Sequence, residues 1–203
     1  MAELRRSDRD LVALTVLALL MTGPKHTYEM HRMMIDTHKT FVTGLPRSMY
    51  HAVERLLKDN FIDAVDTLKD GPRPERTVYA LTDAGRAELS EREERLLRTP
   101  DADSTLLVAA LSYLGCLSVD QARAALTARV ETLDRQVAAA TATLTDVGPQ
   151  LHRLLLLELE YDLARETAEA RWVGQLIADL ADGTLDWPAD PRELIKEMPF
   201  PKT

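Results

Sequence analysis

The sequence predicts a mainly helical protein with one small β-ribbon in its first half. Leu, Ala, Arg and Glu recur along all 203 residues while aromatic residues make up only 5%, a composition that favours helix over strand. Apolar residues return at intervals of three and four through several long stretches, the period of an amphipathic helix. Two short β-type runs flank a Pro-containing loop, the mark of a hairpin. With 45% apolar and 29% charged residues, 8 Gly and 10 Pro, the chain can bury a core and is neither disordered nor loop-dominated.

The elements follow in order. Asp8 or Ser7 is expected to cap a first helix through Leu11, Leu14, Leu17 and Leu20, apolar on nearly every side and therefore buried, which Gly23-Pro24 stops. Thr27 is expected to cap a second helix from Tyr28 to about Thr37, with Tyr28, Met30, Met33 and Met34 as core contacts. After the loop Thr43-Gly44-Leu45-Pro46, Pro46 or Arg47 begins a third helix through Met49, Val53, Leu56 and Leu57 that ends near Asp59-Asn60. Residues 61–65 and 77–81 are the two strands, and Thr82-Asp83 opens a fourth helix rich in Glu and Arg that ends before Pro100. Helix, helix, helix, ribbon, helix is the order of a winged helix-turn-helix, in which two helices and a ribbon brace a third for the major groove.

The second half reads as helix throughout. Residues 104–114 are apolar and short. From Leu117-Ser118, a seam of Val119, Ala122, Leu126, Val130, Leu133, Val137, Ala140 and Leu144 runs until Gly148-Pro149, the spacing of a helix that packs on a partner. A last amphipathic helix is expected over residues 151–180, before Gly183 and Pro188 end regular structure. The predicted domains are therefore a winged helix-turn-helix over 1–98 and a helical dimerisation and effector domain over 99–203.

Charge divides at the same boundary. Residues 1–98 carry 16 basic and 16 acidic side chains; from residue 99 onward 9 basic face 17 acidic, which accounts for the whole net charge of −8. Four of the five histidines (His26, His31, His38 and His51) lie in the first half. An acidic total thus does not exclude DNA binding by the first domain, because a local basic patch is what meets phosphates. The single Cys116 excludes an internal disulfide framework and a Cys-rich zinc site. Residues 1–10 carry charges of both signs and the run 11–21 is too short for a bilayer, so a cytoplasmic protein without membrane contact is expected. No nucleophile elbow, phosphate-binding Gly loop, dinucleotide fingerprint or His-x-x-x-His occurs. We therefore expect no enzyme, no metal and no cofactor.

Leu19-Leu20, Pro24, Tyr28-Glu29, Ser48-Met49-Tyr50, Arg55-Leu56 and the segment Tyr79-Ala80-Leu81-Thr82-Asp83-Ala84-Gly85-Arg86 together resemble the N-terminal domain of PadR-type transcriptional regulators. The resemblance covers roughly residues 10–90, and the long C-terminal helices suit the family's dimerisation domain. It implies a homodimer that binds operator DNA, usually as a repressor, and often releases it when a small molecule binds. Where the family commonly has Ser-Pro-Gly leading into the third helix, this chain has Leu45-Pro46-Arg47, which adds a long cation.

On the third helix, Arg47, Ser48, His51 and Arg55 are the candidate DNA contacts, with Arg47, His51 and Arg55 spaced i, i+4, i+8. The bland alternative is a solvated face. Arg47 near the helix start suits guanine edges or phosphate, and Ser48 suits phosphate. Tyr50 is either a core ring with its hydroxyl outward or a backbone contact. Lys69, Arg73 and Arg76 are candidate wing contacts to phosphate, in a loop whose Asp70 and Glu75 partly cancel them. Glu158, Asp162, Glu166 and Glu169 form an acidic stripe best read as a solvated face. Trp172 and Trp187 either pack the dimer core and pin the tail, or line a pocket for a planar effector. The expected partners are double-stranded DNA, a second copy of the chain and a small-molecule effector. The competing reading is a winged-helix interaction module that does not read DNA sequence.

Overall fold

The computed structural model describes residues 4–37, 39, 41–42, 47–68, 76–190 and 192–193. Helix α1 (Leu11–Leu20) is buried on all sides, as its apolar sequence requires, and lies under α3 and α4. Its cap is Asp10, whose side chain accepts from Ala13 N at 3.1 Å, and not Asp8 or Ser7. Asp8 is fully buried instead, accepting from Arg95 Nε at 3.1 Å and Nη2 at 3.0 Å. The turn after α1 passes through Gly23 at φ +115°, a left-handed conformation that glycine adopts without strain.

Two residues then pair as a strand that the sequence pattern did not reveal. β1 (Lys25–His26) lies against β3 (Arg76–Leu81), which also pairs with β2 (Ile62–Leu68), so the ribbon is a three-stranded antiparallel sheet ordered β1-β3-β2. β2 carries a bulge between Ala64 and Asp66. Helix α2 (Thr27–Asp36) is capped by His26, whose Nδ1 accepts from Glu29 N at 3.0 Å, so Thr27 is the first helical residue rather than the cap. Met30 and Met34 enter the core, but Tyr28 does not: 59% of it is exposed.

Helix α3 (Arg47–Lys58) buries Met49, Ala52, Val53 and Leu56 and turns into β2 through Asn60 at φ 58°. Helix α4 (Asp83–Arg98) starts where Thr82 Oγ1 accepts from Gly85 N at 2.9 Å. Helix α5 (Ser104–Ser112), capped by Asp103, ends in a short 3-10 turn over Leu114–Cys116. Ser118 and Gln121 form a capping box for the long α6 (Val119–Val147). The last helix, α7 (Leu157–Asp182), begins six residues later than the sequence predicts, because 3-10 turns at Gly148–Gln150 and Arg153–Leu156 follow the Gly148-Pro149 break. Gly183, at φ 77°, closes it.

α6 packs along α7 and on α4. The first half of its apolar seam is filled within the chain, with Ala122, Leu126 and Leu133 fully buried. The acidic stripe of α7 is not wholly solvated. Glu169 is drawn in to the buried Arg129, whose Nε donates to it at 2.6 Å while Nη1 donates to the carbonyls of Leu96, Leu97 and Thr99 at the end of α4.

Candidate nucleic-acid interface

α3 presents one apolar stripe inward, and its other face carries Arg47, Tyr50, His51, Glu54, Arg55 and Lys58, all exposed. Ser48 is half-buried. Tyr50 is 55% exposed, which removes the core-ring alternative and leaves it on the outer face. His51 Nδ1 lies 3.5 Å from the Glu54 carboxylate one turn on. Arg55 is engaged within the protein: its Nη2 meets Asp10 Oδ2 at 2.5 Å. The predicted face exists, but its last cation is shared with the cap of α1.

The wing base adds a cluster the sequence did not show. Arg76, the first residue of β3, stands over the Tyr28 ring at 5.6 Å, and the His26 ring lies 6.2 Å from the same ring. β1 brings these groups together, pairing His26 with Val78. Nothing in the local sequence signals an Arg from β3 over an aromatic of α2. Lys69 and Arg73 lie outside the described residues. Close by, Lys25 is buried with Nζ near the carbonyls of Thr22 and Gly23, and burial lowers its pKa against the attraction of Glu29.

The segment before α3 is tied to the second half of the chain. Lys39 Nζ reaches Ser112 O at 3.5 Å and stands 5.2 Å above the Tyr113 ring, and Phe41 meets that ring edge-on at 5.9 Å. Tyr113 Oη donates to Thr15 Oγ1 at 2.8 Å. In the same region Glu93 is fully buried with neither oxygen hydrogen-bonded, and burial pushes its carboxyl well above the ordinary range. Burial also raises the Cys116 thiol, with Glu93 adding to the effect.

The two tryptophans do not meet. Trp187 packs on the core with its indole N–H donating to Leu117 O at 2.9 Å, which pins the tail; Trp172 is 53% exposed on α7. Neither lines the cleft of about 560 Å³ between the 98–101 connection and α6, which Arg9, Arg98, Arg135 and Gln136 border. Among the described residues no group of His, Cys, Asp and Glu can hold a metal ion, and no helix is long and apolar enough to cross a membrane.

Residues 16–91 match the model of the Transcriptional regulator PadR-like family. Among solved structures, the chain is similar to Bacillus subtilis PadR in complex with operator DNA, at 19% identity and a TM-score of 0.40, covering 83% of this chain and 98% of that one. It is similar to a PadR-like transcriptional regulator from Bacillus cereus at 15% identity and a TM-score of 0.38, with 85% and 99% covered. Bacillus subtilis PadR in complex with p-coumaric acid is 18% identical, with a TM-score of 0.36 and 84% and 99% covered. No curated protein matches the chain.

Proposed function

From the match of residues 16–91 to the model of the PadR-like transcriptional regulator family, we propose that the chain is a homodimeric repressor whose α3 helices read an inverted-repeat operator. The observation that carries this reading is the outer face of α3. Its apolar positions are all spent on the core, while Arg47, Tyr50 and His51 stand free of it at the end of the helix nearest the start, where backbone amides and a long cation suit base edges and phosphate. Arg76, over the Tyr28 ring at the wing base, is the cation that this reading assigns to adjacent backbone. An interaction module would have no use for such a face.

The dimer reading rests on apolar surface left uncovered by one chain. Leu154, Leu155 and Tyr161 are 68%, 66% and 70% exposed, and Leu151, Leu157 and Trp172 join them along the approach to α7 and on it. Large apolar side chains left bare along one helix and its approach suit an interface, and an isologous pairing across a two-fold axis buries them on both subunits. Two recognition helices then lie about one DNA turn apart, roughly 34–36 Å. In this reading a small aromatic effector releases the operator by binding better to a dimer with another spacing, with Trp172 in its site once a second subunit closes over that face. Trp187, bonded to Leu117, holds the tail against the core.

A gel-shift of the full chain against its own upstream region, with an unrelated duplex as competitor, tests the reading. Selective retardation by a dimer supports it; equal binding to both duplexes, or a monomer at micromolar concentration by light scattering, overturns it.

A further inference from the structure

Four consecutive residues ahead of α1 tie it to α4, to the connection after α4 and to α3. Ser7 O accepts from Arg92 Nη1 of α4 at 3.1 Å. Buried Asp8 takes Arg95, also on α4. Arg9 Nη2 meets Asp101 Oδ2 at 2.5 Å, in the connection between α4 and α5. Asp10 divides its carboxylate, one oxygen capping α1 at Ala13 N and the other holding Arg55 Nη2 on α3. Asp101 is itself held by the amide of Asp103, the cap of α5.

We propose that residues 7–10 form a strap that sets the pose of α3, with Asp10 a positioning residue for DNA recognition that acts through Arg55. The inference rests on the reading of α3 as the helix that enters the groove. The rest of α3 is held by Met49, Ala52, Val53 and Leu56, an apolar stripe. Apolar packing is non-directional and tolerates a small roll or slide, whereas a hydrogen-bonded ion pair fixes direction. The strap places that directional contact two turns along α3 from Arg47, on the helix whose start must meet base edges. Through Arg9 and Asp101 the same strap fixes α3 relative to the connection leading into the C-terminal helices. Movement of those helices is thereby delivered to the recognition helix through charged contacts as well as through the core.

The pair also explains why Arg55 is outward yet not free for phosphate. Its side chain is 53% exposed and that of Asp10 27%, so the bond adds little to global stability and its removal leaves the protein folded. The strap therefore acts on geometry.

The test uses the full chain with Asp10→Asn, which keeps a competent helix cap but removes the charge, together with Arg55→Gln and the double variant. The strap predicts that Asp10→Asn weakens operator binding roughly tenfold while binding to an unrelated duplex stays unchanged. Arg55→Gln should do the same, and the double variant should be no worse than either. If Arg55 instead contacts DNA directly, Asp10→Asn frees a cation and tightens binding to every duplex, and that result overturns the proposal. Hydrogen exchange on the DNA-free chain gives a second measurement. Amides of α3 must exchange faster in Asp10→Asn and in Asp101→Asn than in the wild type, with α6 unaltered; equal exchange overturns the strap. A wild type that shows no operator preference refutes the reading of α3, while the exchange experiment still decides whether the strap holds the helix.

Discussion

Gly85 packs so closely on Phe61 that a methyl group on its α-carbon would sit 1.9 Å from the Phe61 carbonyl oxygen. The contact closes the corner where the wing leads into α4. Thr82 N donates to that same carbonyl at 3.1 Å, and Thr82 Oγ1 donates to Asn60 O at 2.8 Å while accepting from Gly85 N. Gly85→Ala must therefore push α4 away from backbone rather than from a yielding side chain. We expect a loss of about 3 kcal/mol or more, read as a fall in the urea midpoint, and a parallel loss of DNA binding. Thr82→Ser, which keeps both hydrogen bonds, should cost far less.

That corner lies in the segment from Tyr79 to Arg86 that carries part of the family resemblance, but the reason for its glycine is not legible locally, because Phe61 comes from the other side of the wing. Local signals served well elsewhere: the all-round apolar α1, the Thr82 cap and the Ser118 box each fell where short-range chemistry put them. Errors arose where a distant residue decided the outcome. Asp8 and Asp10 are equivalent as caps by sequence, and Arg95, 87 residues away, takes Asp8 and leaves Asp10. Tyr28 fitted the apolar side of α2, yet its ring lies outside the core, facing Arg76 from β3. β1 has two residues, too few for any alternation to register. On α3 the outward face was legible from helical spacing, but the Asp10–Arg55 bond was not, since nothing in either residue's neighbourhood announces the other.

Arg129 and Glu169 form the most buried ion pair between α6 and α7, with side chains 2% and 15% exposed. Burial lowers the Arg129 pKa, and Glu169 works against that loss. Glu169→Ala leaves the guanidinium enclosed with its Nε unmatched, and we expect destabilisation of about 3 kcal/mol. Replacing both partners, as Arg129→Met with Glu169→Leu, should restore much of the loss, because no charge is then left in the interior. Strict additivity of the two substitutions in chemical denaturation would contradict this account.

Glu93 gives the stability a pH dependence of definite sign. Unfolded, its carboxyl ionises near its ordinary value of 4.5; folded, burial holds it protonated to much higher pH. Between those values the native state binds the extra proton, so stability falls as pH rises above the unfolded value. Burial and Glu93 also raise the Tyr113 hydroxyl and the Cys116 thiol, which adds the same sign at higher pH, whereas Lys39 beside Cys116 is lowered by burial and contributes the opposite slope. Glu93→Gln mimics the neutral acid. The variant should be more stable than the wild type at about pH 8, with the advantage shrinking toward pH 5, as read from melting curves. A wild type and variant with parallel pH profiles would show instead that Glu93 titrates alike in the folded and unfolded states.

Arg47 and Arg76 separate two kinds of contact within the DNA-binding reading. Arg47 begins α3, exposed at the end of the helix that enters the groove, so truncation should remove a base-edge contact. Arg47→Ala is expected to weaken operator binding by about 1–3 kcal/mol and to relax preference at one position in each half-site. Arg76 belongs to the wing base and lies over the Tyr28 ring, and the DNA-binding reading gives it a phosphate contact, which carries no sequence information. Arg76→Ala should therefore weaken all duplexes about equally, and the slope of log affinity against log salt should become shallower by about one per protomer. Binding-site selection with randomised duplexes checks the first, and a salt titration checks the second. If Arg76→Ala changed the selected sequence while Arg47→Ala left it intact, the roles assigned to α3 and the wing would have to be exchanged.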